Sequence, residues 1–299
     1  MSSSSNQPIY PDLAGKVALI TGIGQEGGPD DEKTDNWGNG AAIALALARN
    51  GVKIMGCDLN IDAARRTKSR IEAAVPGAVI HVTAADVTKA DQVEAFVQTG
   101  RREDLFPGCG GSIDILINNV GRSEPGGPAE MEEGVFDAQV DVNLKSVYLT
   151  THLVLPIMEK QASQQNRNGV GGAIVNISSV AGLRYVGKPQ VAYSALKAAV
   201  TQFSKHTAVM YADRGVRVNT VLPGLIFTPL VHRLADKYAA GDYEGFVNKR
   251  HNQVPMGRMG SSADVANAVV FLSSSIAARY ITGQKIVVDG GFTASTGRV

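Results

Sequence analysis

The chain has 299 residues, 44% of them hydrophobic and 6% aromatic, with 33 glycines and a formal charge of +1 from 29 basic and 28 acidic side chains. This length allows one large domain or two small ones, and the even mixture of charges argues against a nucleic-acid partner or a basic membrane-binding face. With two cysteines, no basic and apolar leader and no run near the roughly 18 apolar residues of a membrane helix, the expectation is a cytoplasmic protein without disulfides.

Residues 1–14 are expected to form a disordered N-terminal arm, and 15–299 a single domain. Residues 16–21 are a short apolar run that predicts a buried strand ending at Gly22. Residues 40–49, GAAIALALAR, predict a helix with almost no polar face, as needed where a helix packs on a sheet. A second strand over 52–57 stops at Asp58. Then come a helix over 61–74, a strand over 78–84, a helix over 89–99 and a strand over 113–117, which runs into Asn118-Asn119-Val120-Gly121. A long helix over 132–161 and a strand over 172–178 precede a helix carrying Tyr193 and Lys197. A strand over 216–221, an irregular stretch at 224–260, a helix over 262–274 and a last strand over 284–288 complete the chain. Loops 100–112 and 161–172 read as surface excursions. Strands alternating with helices predict a doubly wound α/β domain of the Rossmann type. Its seven-stranded parallel sheet would have the order 3-2-1-4-5-6-7 and helices on both faces.

A Gly-rich turn between a strand and a helix can cradle a phosphate, because the helix N-terminus offers unpaired N–H groups and a positive dipole end. Here the turn opens at Gly22 and the helix begins near Gly38 and Gly40, with fifteen residues (23–37) where a compact turn has three. This insertion either displaces a pyrophosphate or covers it. Trp37, at its end, is expected beside the pyrophosphate site. Asp58 lies 18 residues past Gly40, at the end of the second strand. There a carboxylate can accept from both ribose hydroxyls of an adenosine and would repel a 2′-phosphate. Its other reading is a helix N-cap. NAD(H) is therefore expected over NADP(H), which stays possible.

Tyr193 and Lys197 are four residues apart, on one face of the predicted helix. A phenol is a poor acid near neutrality, and a neighbouring ammonium eases its proton transfer. Fourteen residues before Tyr193, the apolar run 174–177 ends in Ser178-Ser179, so hydroxyl, phenol and ammonium can converge. None of the histidines pairs at ligand spacing with Cys or carboxylate, and no metal is expected.

From Lys16 to Gly291 these motifs together resemble the short-chain dehydrogenase/reductase family. Its TGxxxGxG turn matches Thr21-Gly22 and Gly38-Asn39-Gly40, its adenine-contacting Asp-Val matches Asp86-Val87, and its NNAG matches Asn118 to Gly121 with Val120 replacing Ala. The resemblance implies a catalytic tetrad of Asn143, Ser179, Tyr193 and Lys197, with Ser178 a second candidate because the Ser-to-Tyr interval is one residue long. It places Asn119, Gly121, Tyr193, Lys197, Pro223, Gly224 and Thr228 at the cofactor, with Arg217 to Asn219 in the nicotinamide-side segment. It also implies Asp289-Gly290-Gly291 as a C-terminal motif and a homotetramer or homodimer. The expected reaction interconverts a secondary alcohol and a ketone by hydride transfer, with Tyr193 as acid/base, Ser179 holding the oxygen and Asn143 holding a water that serves Lys197.

The long first turn is also similar to that of plant-type enoyl-acyl-carrier reductases. Those space their tyrosine and lysine more widely than the four residues seen here. Residues 225–257 occupy the family's substrate lid, with Leu225, Phe227, Leu230, Val231, Tyr238 and Phe246 as an apolar wall and His232, Arg233, Lys249 and Arg250 as possible anion contacts. A redox-assisted cyclase or dehydratase, or a non-redox nucleotide-binding sensor, are the alternatives the same fold allows.

Overall fold

The computed structural model describes residues 7–25, 36–164 and 169–296, without the side chains of 232, 233, 237 and 238. Insertion residues 26–35, and the anion contacts expected from His232 and Arg233, thus lie outside the described residues. So does the wall position Tyr238.

Short apolar runs become strands here because both faces are covered, so no polar alternation is needed. The strands are β1 (Val17–Thr21), β2 (Lys53–Asp58), β3 (Ile80–Ala84), β4 (Ile115–Asn118), β5 (Gly172–Ile177), β6 (Val216–Pro223), β7 (Ile226–Phe227), β8 (Gly260–Ser261) and β9 (Lys285–Val288). Seven of them pair in parallel in the order β3-β2-β1-β4-β5-β6-β9, which is the expected arrangement, while β7 and β8 pair separately.

The helices are α1 (Asn39–Arg49), α2 (Ile61–Ala74), α3 (Ala90–Thr99), α4 (Glu133–Val140), α5 (Ser146–Ala162), α6 (Val191–Tyr211), α7 (Leu230–Ala239), α8 (Tyr243–Gln253) and α9 (Ser262–Ser273). On one face of the sheet α1 and α9 pack together, and every α1 residue from Gly40 to Ala48 is buried. On the other, Val93, Phe96 and Val97 of α3 join Val154, Leu155 and Met158 of α5 and Ala208 of α6. No helix of the described residues is long and apolar enough to cross a membrane, and both cysteines are free and buried.

Four expectations are corrected. The N-terminal arm is not disordered over 7–14: Leu13 is 1% exposed, and Asp12 accepts hydrogen bonds from Ser274 and Ser275 at the end of α9. Asn50 also donates to the Pro8 carbonyl. The predicted helix over 132–161 is α4 and α5 joined by a π-helical turn, Asp141–Lys145, which carries Asn143. The stretch 224–260 is not irregular but holds α7, α8 and the β7–β8 pair. Finally, the side chains of Arg217 and Asn219 are engaged away from the carboxyl end of β6. The Arg217 guanidinium donates to the carbonyls of Leu272, Ser273, Ser274 and Ile281, and burial lowers its pKa to about 10. Asn219 bonds Ile281 and Gln284. Both residues fasten the end of α9 and the approach to β9.

Candidate active site

In an open parallel sheet the ligand crevice lies beyond the carboxyl ends of the strands, where the order reverses. Here the reversal falls between β1 and β4. Gly22 follows β1, Asp58 ends β2, Asn119 and Gly121 follow β4, Ser179 follows β5, and Pro223 ends β6.

The first turn is built by close approach. Gly22 has a φ of +67°, and a Cβ added to Gly40 would lie 2.1 Å from the Gly22 carbonyl oxygen. Only glycine fits there. Asn119 fixes the same turn by donating from Nδ2 to the Thr21 and Gly22 carbonyls, while its own N–H donates to Thr21 Oγ1. Gly38 is the N-cap of α1 with no side-chain cap, so the first N–H groups of that helix are left for an anion. Asn39 Oδ1 is buried without a partner. A cradle that a Cβ would fill and an uncapped helix end fit a dinucleotide pyrophosphate. Trp37, 8% exposed, directly precedes Gly38 with its indole face beneath the Arg70 guanidinium at 3.7 Å.

Asp58 is not the N-cap of α2. Asn60 is, accepting from the N–H groups of Asp62 and Ala63. The Asp58 carboxylate is instead pinned, accepting from Gly24 N–H at 2.8 Å and Asn60 N–H at 3.0 Å. Asp86 is held by the Thr88 N–H and hydroxyl, and Val87, 6% exposed, packs in the core.

Around the expected acid the parts converge. The Ser179 side chain pairs with the Tyr193 phenol; burial raises the phenol's pKa above its usual value, and Ser179 offsets part of the rise. Ser179 Oγ also accepts from Ala181 N–H in the Val180–Gly182 turn. Gly182 lets this turn sit on α6, since a Cβ there would be 2.7 Å from Ala198 N. Ser178 points elsewhere, donating to the Lys197 carbonyl at 2.7 Å and accepting from Thr201. Ser179 is thus the serine brought to Tyr193.

Lys197 is 2% exposed, and burial lowers its pKa to about 8. Its Nζ donates to the Ile177 carbonyl at 3.0 Å and stands 5.6 Å from the Tyr193 ring centre. A Cβ on Gly121 would lie 2.7 Å from Lys197 Nζ and 3.1 Å from Asn143 Oδ1, so this glycine separates the two polar groups. Asn143 is fully buried in the π-helical turn. Its Nδ2 donates to the Arg122 and Gln139 carbonyls, and its Oδ1 accepts from Arg122 N–H. Both amide protons serve this brace between the loop after β4 and the helix. A π-turn at such a position is a recurrent mark of functional sites.

Gly224 meets Asp289, where a Cβ would be 2.5 Å from that residue's Cβ. Thr228 follows, its carbonyl accepting from Val231 N–H at the start of α7. Arg250, a possible anion contact by sequence, is only 9% exposed and stacks on Phe246 at 4.3 Å.

Beneath the site runs a buried polar chain of which the sequence marked only Asn118. Thr150 donates to Asn118 Oδ1, Asn118 to Asn176 Oδ1, and Asn176 to Ser204 Oγ. Gln139, which supports both Asn143 and the Glu124 N–H, was equally unmarked. Nothing in periodicity distinguishes such residues from other buried polar side chains.

The fold and this arrangement define a dinucleotide-dependent oxidoreductase class, and comparisons with known proteins agree. A family profile described as enoyl-(acyl carrier protein) reductase matches residues 34–293. A 3-oxoacyl-[acyl-carrier-protein] reductase of Thermotoga maritima is 35% identical, over 93% of this chain and 98% of its own. A 2,5-dichloro-2,5-cyclohexadiene-1,4-diol dehydrogenase of Sphingobium indicum is 33% identical, over 94% of this chain and 97% of its own. A crystal structure described as a short-chain dehydrogenase/reductase from Burkholderia xenovorans is 40% identical with a TM-score of 0.82, covering 96% of this chain and 99% of that one. Levodione reductase, 29% identical, superposes with a TM-score of 0.81 over 94% of this chain and 99% of its own. The chain belongs to the short-chain dehydrogenase/reductase family, NAD(P)-dependent oxidoreductases acting on CH–OH and C=O groups.

Proposed function

We propose that this chain interconverts a secondary alcohol and a ketone with NAD(H) in preference to NADP(H), and that Tyr193 is its acid/base. The observation that carries this reading is the Ser179 side chain paired with the Tyr193 phenol beside the buried Lys197, beyond the carboxyl end of β5. A bound nicotinamide supplies the hydride in the reducing direction and accepts it in the other. Tyr193 gives its phenolic proton to the substrate oxygen, which Ser179 holds by a hydrogen bond near the phenol. Raised by burial, the phenol stays protonated at neutral pH, the form needed for reduction. When Lys197 is charged it favours the phenolate that remains, and it reaches the ribose next to the nicotinamide. Asn143 positions Gly121 and thereby the space around Lys197. Gly22, Gly38 and Gly40 admit the pyrophosphate, Asp86, Val87 and Asn119 flank the adenosine side, and Pro223, Gly224 and Thr228 the nicotinamide side. A small-molecule substrate enters under the α7–α8 lid, and the enzyme assembles as a homotetramer or homodimer in the cytoplasm.

The preference for NAD(H) rests on Asp58. Two N–H groups orient its carboxylate, and the oxygens keep lone pairs for ribose hydroxyls while opposing a 2′-phosphate. Calorimetric titration should give a Kd for NADH at least about tenfold below that for NADPH, equal to about 1.4 kcal/mol. Asp58→Asn should narrow the gap. Equal affinities in the parent protein would refute the assignment.

Lys197 makes stability depend on pH. Its folded pKa of about 8 lies below the ordinary 10.5, so below about pH 8 the folded state carries a buried charge at a cost. That cost is relieved as pH rises from about 8 to 10.5, because in this window the unfolded chain binds more protons. Comparing thermal midpoints of the parent and Lys197→Met from pH 7 to pH 10, the difference should move in the parent's favour. A constant difference would mean the ammonium is not desolvated as described.

A further inference from the structure

The long first turn raises the question of which residues make the cradle. Helix α2 turns one face towards the two ends of that turn. Ala63, Arg66, Thr67 and Arg70 stand at i, i+3, i+4 and i+7, a single stripe on a helix. Each of the four bonds the turn. Gln25 N–H donates to the Ala63 carbonyl, Arg66 Nη2 to the Gln25 carbonyl at 3.2 Å, Thr67 Oγ1 to the Ile23 carbonyl at 3.0 Å, and Arg70 Nη1 to the Asn36 carbonyl at 3.4 Å.

The two ends also meet each other. Gln25, 5% exposed, donates from Nε2 to the Asn36 carbonyl at 3.1 Å, across the ten residues 26–35. Ile23, fully buried, rests on Gly56, where a Cβ would lie 2.5 Å from Ile23 Cδ1. Downstream of this junction Trp37 is stacked under Arg70, and Gly40 still approaches Gly22 as tightly as glycine permits. The approach of Gly40 to Gly22 therefore coexists with an insertion whose ends are already closed.

We infer that the dinucleotide cradle is complete without residues 26–35, and that Gln25, Arg66 and Arg70 are positioning residues that close the turn at its base. The inference rests on the proposed use of this cradle for NAD(H). The guanidiniums act through the backbone of Gln25 and Asn36, which sets where Gly22, Gly24 and Gly38 stand.

Two variants test it, each read by NADH calorimetry, by kcat and KM for NADH, and by the thermal midpoint. Replacing residues 26–35 with three glycines should leave the Kd for NADH within about threefold of the parent. The double change Arg66→Met with Arg70→Met should weaken NADH at least about tenfold and raise its KM, while kcat at saturating NADH stays within about twofold. Restoring positive charge with Arg66→Lys and Arg70→Lys should recover part of the affinity. A folded shortened protein that has lost NADH, or a double Met variant with parental affinity, overturns the inference. If the parent itself binds no NADH, the proposed function fails instead, so the two failures are distinguishable.

Discussion

Tyr193→Phe is expected to bind NADH with parental affinity and to lose turnover by about 10²- to 10⁴-fold, the usual share of a positioned acid. The reasoning is local. The substitution removes one hydroxyl, which pairs with Ser179, and leaves the ring packed where it is. Lys197 keeps its bond to the Ile177 carbonyl, because that contact does not pass through the phenol. Cofactor affinity measured by calorimetry and kcat measured with a turned-over ketone should therefore separate. A Phe variant with near-parental kcat would remove Tyr193 from the chemistry. Parallel loss of affinity and kcat would mean the ring positions the cofactor as well.

Gly40→Ala should have the second large effect, on binding rather than on the chemical step. An added Cβ would stand 2.1 Å from the Gly22 carbonyl oxygen and 2.6 Å from Asn119 Nδ2. Neither is the free end of a flexible side chain: one is backbone, and the other is held by the Thr21 and Gly22 carbonyls. The turn must open, at a cost of about 1–3 kcal/mol for overpacking. The expected readouts are a lower thermal midpoint and at least about tenfold weaker NADH binding. Gly134→Ala in α4 is the control, since nothing lies within 4 Å of a Cβ there and the residue is not part of this turn. A Gly40→Ala protein with parental Kd would show that the turn relaxes freely and is not the cradle.

Much of this architecture was legible because it is encoded locally. The central strands are short runs of Val, Ile, Leu and Ala bounded by Gly, Asp or Asn, and β1 is buried at every position. Helix α2 begins and ends where its pattern predicts, although its cap is Asn60 and not Asp58, the residue the sequence offered. Ser179, Tyr193 and Lys197 were legible as a set because two adjacent elements present them.

What was missed depends on distant partners. Asp12 looked like part of a polar tail, yet its contacts are 262 and 263 residues away. Helix α8, YEGFVNKRHNQ, has Gly245 and two asparagines inside it, so its propensity is poor, and packing against α7 sustains it. The π-turn at Asp141–Lys145 carries no compositional mark. Arg217 sits in a strand whose far end does approach the site, and only the three-dimensional arrangement shows that its guanidinium serves the opposite end. Ser178 and Ser179 differ by one position at the end of β5, and alternation along the chain sends one to Lys197 O and the other to Tyr193.

The most direct test of the account follows the hydride itself. The protein would be incubated with NADH deuterated at C4 and a panel of ketones, and the products analysed by mass spectrometry. Deuterium is expected at the carbinol carbon of at least one product, and none with Tyr193→Phe over the same interval. NADH binding without deuterium transfer to any ketone, or equal transfer by the Phe variant, would contradict it.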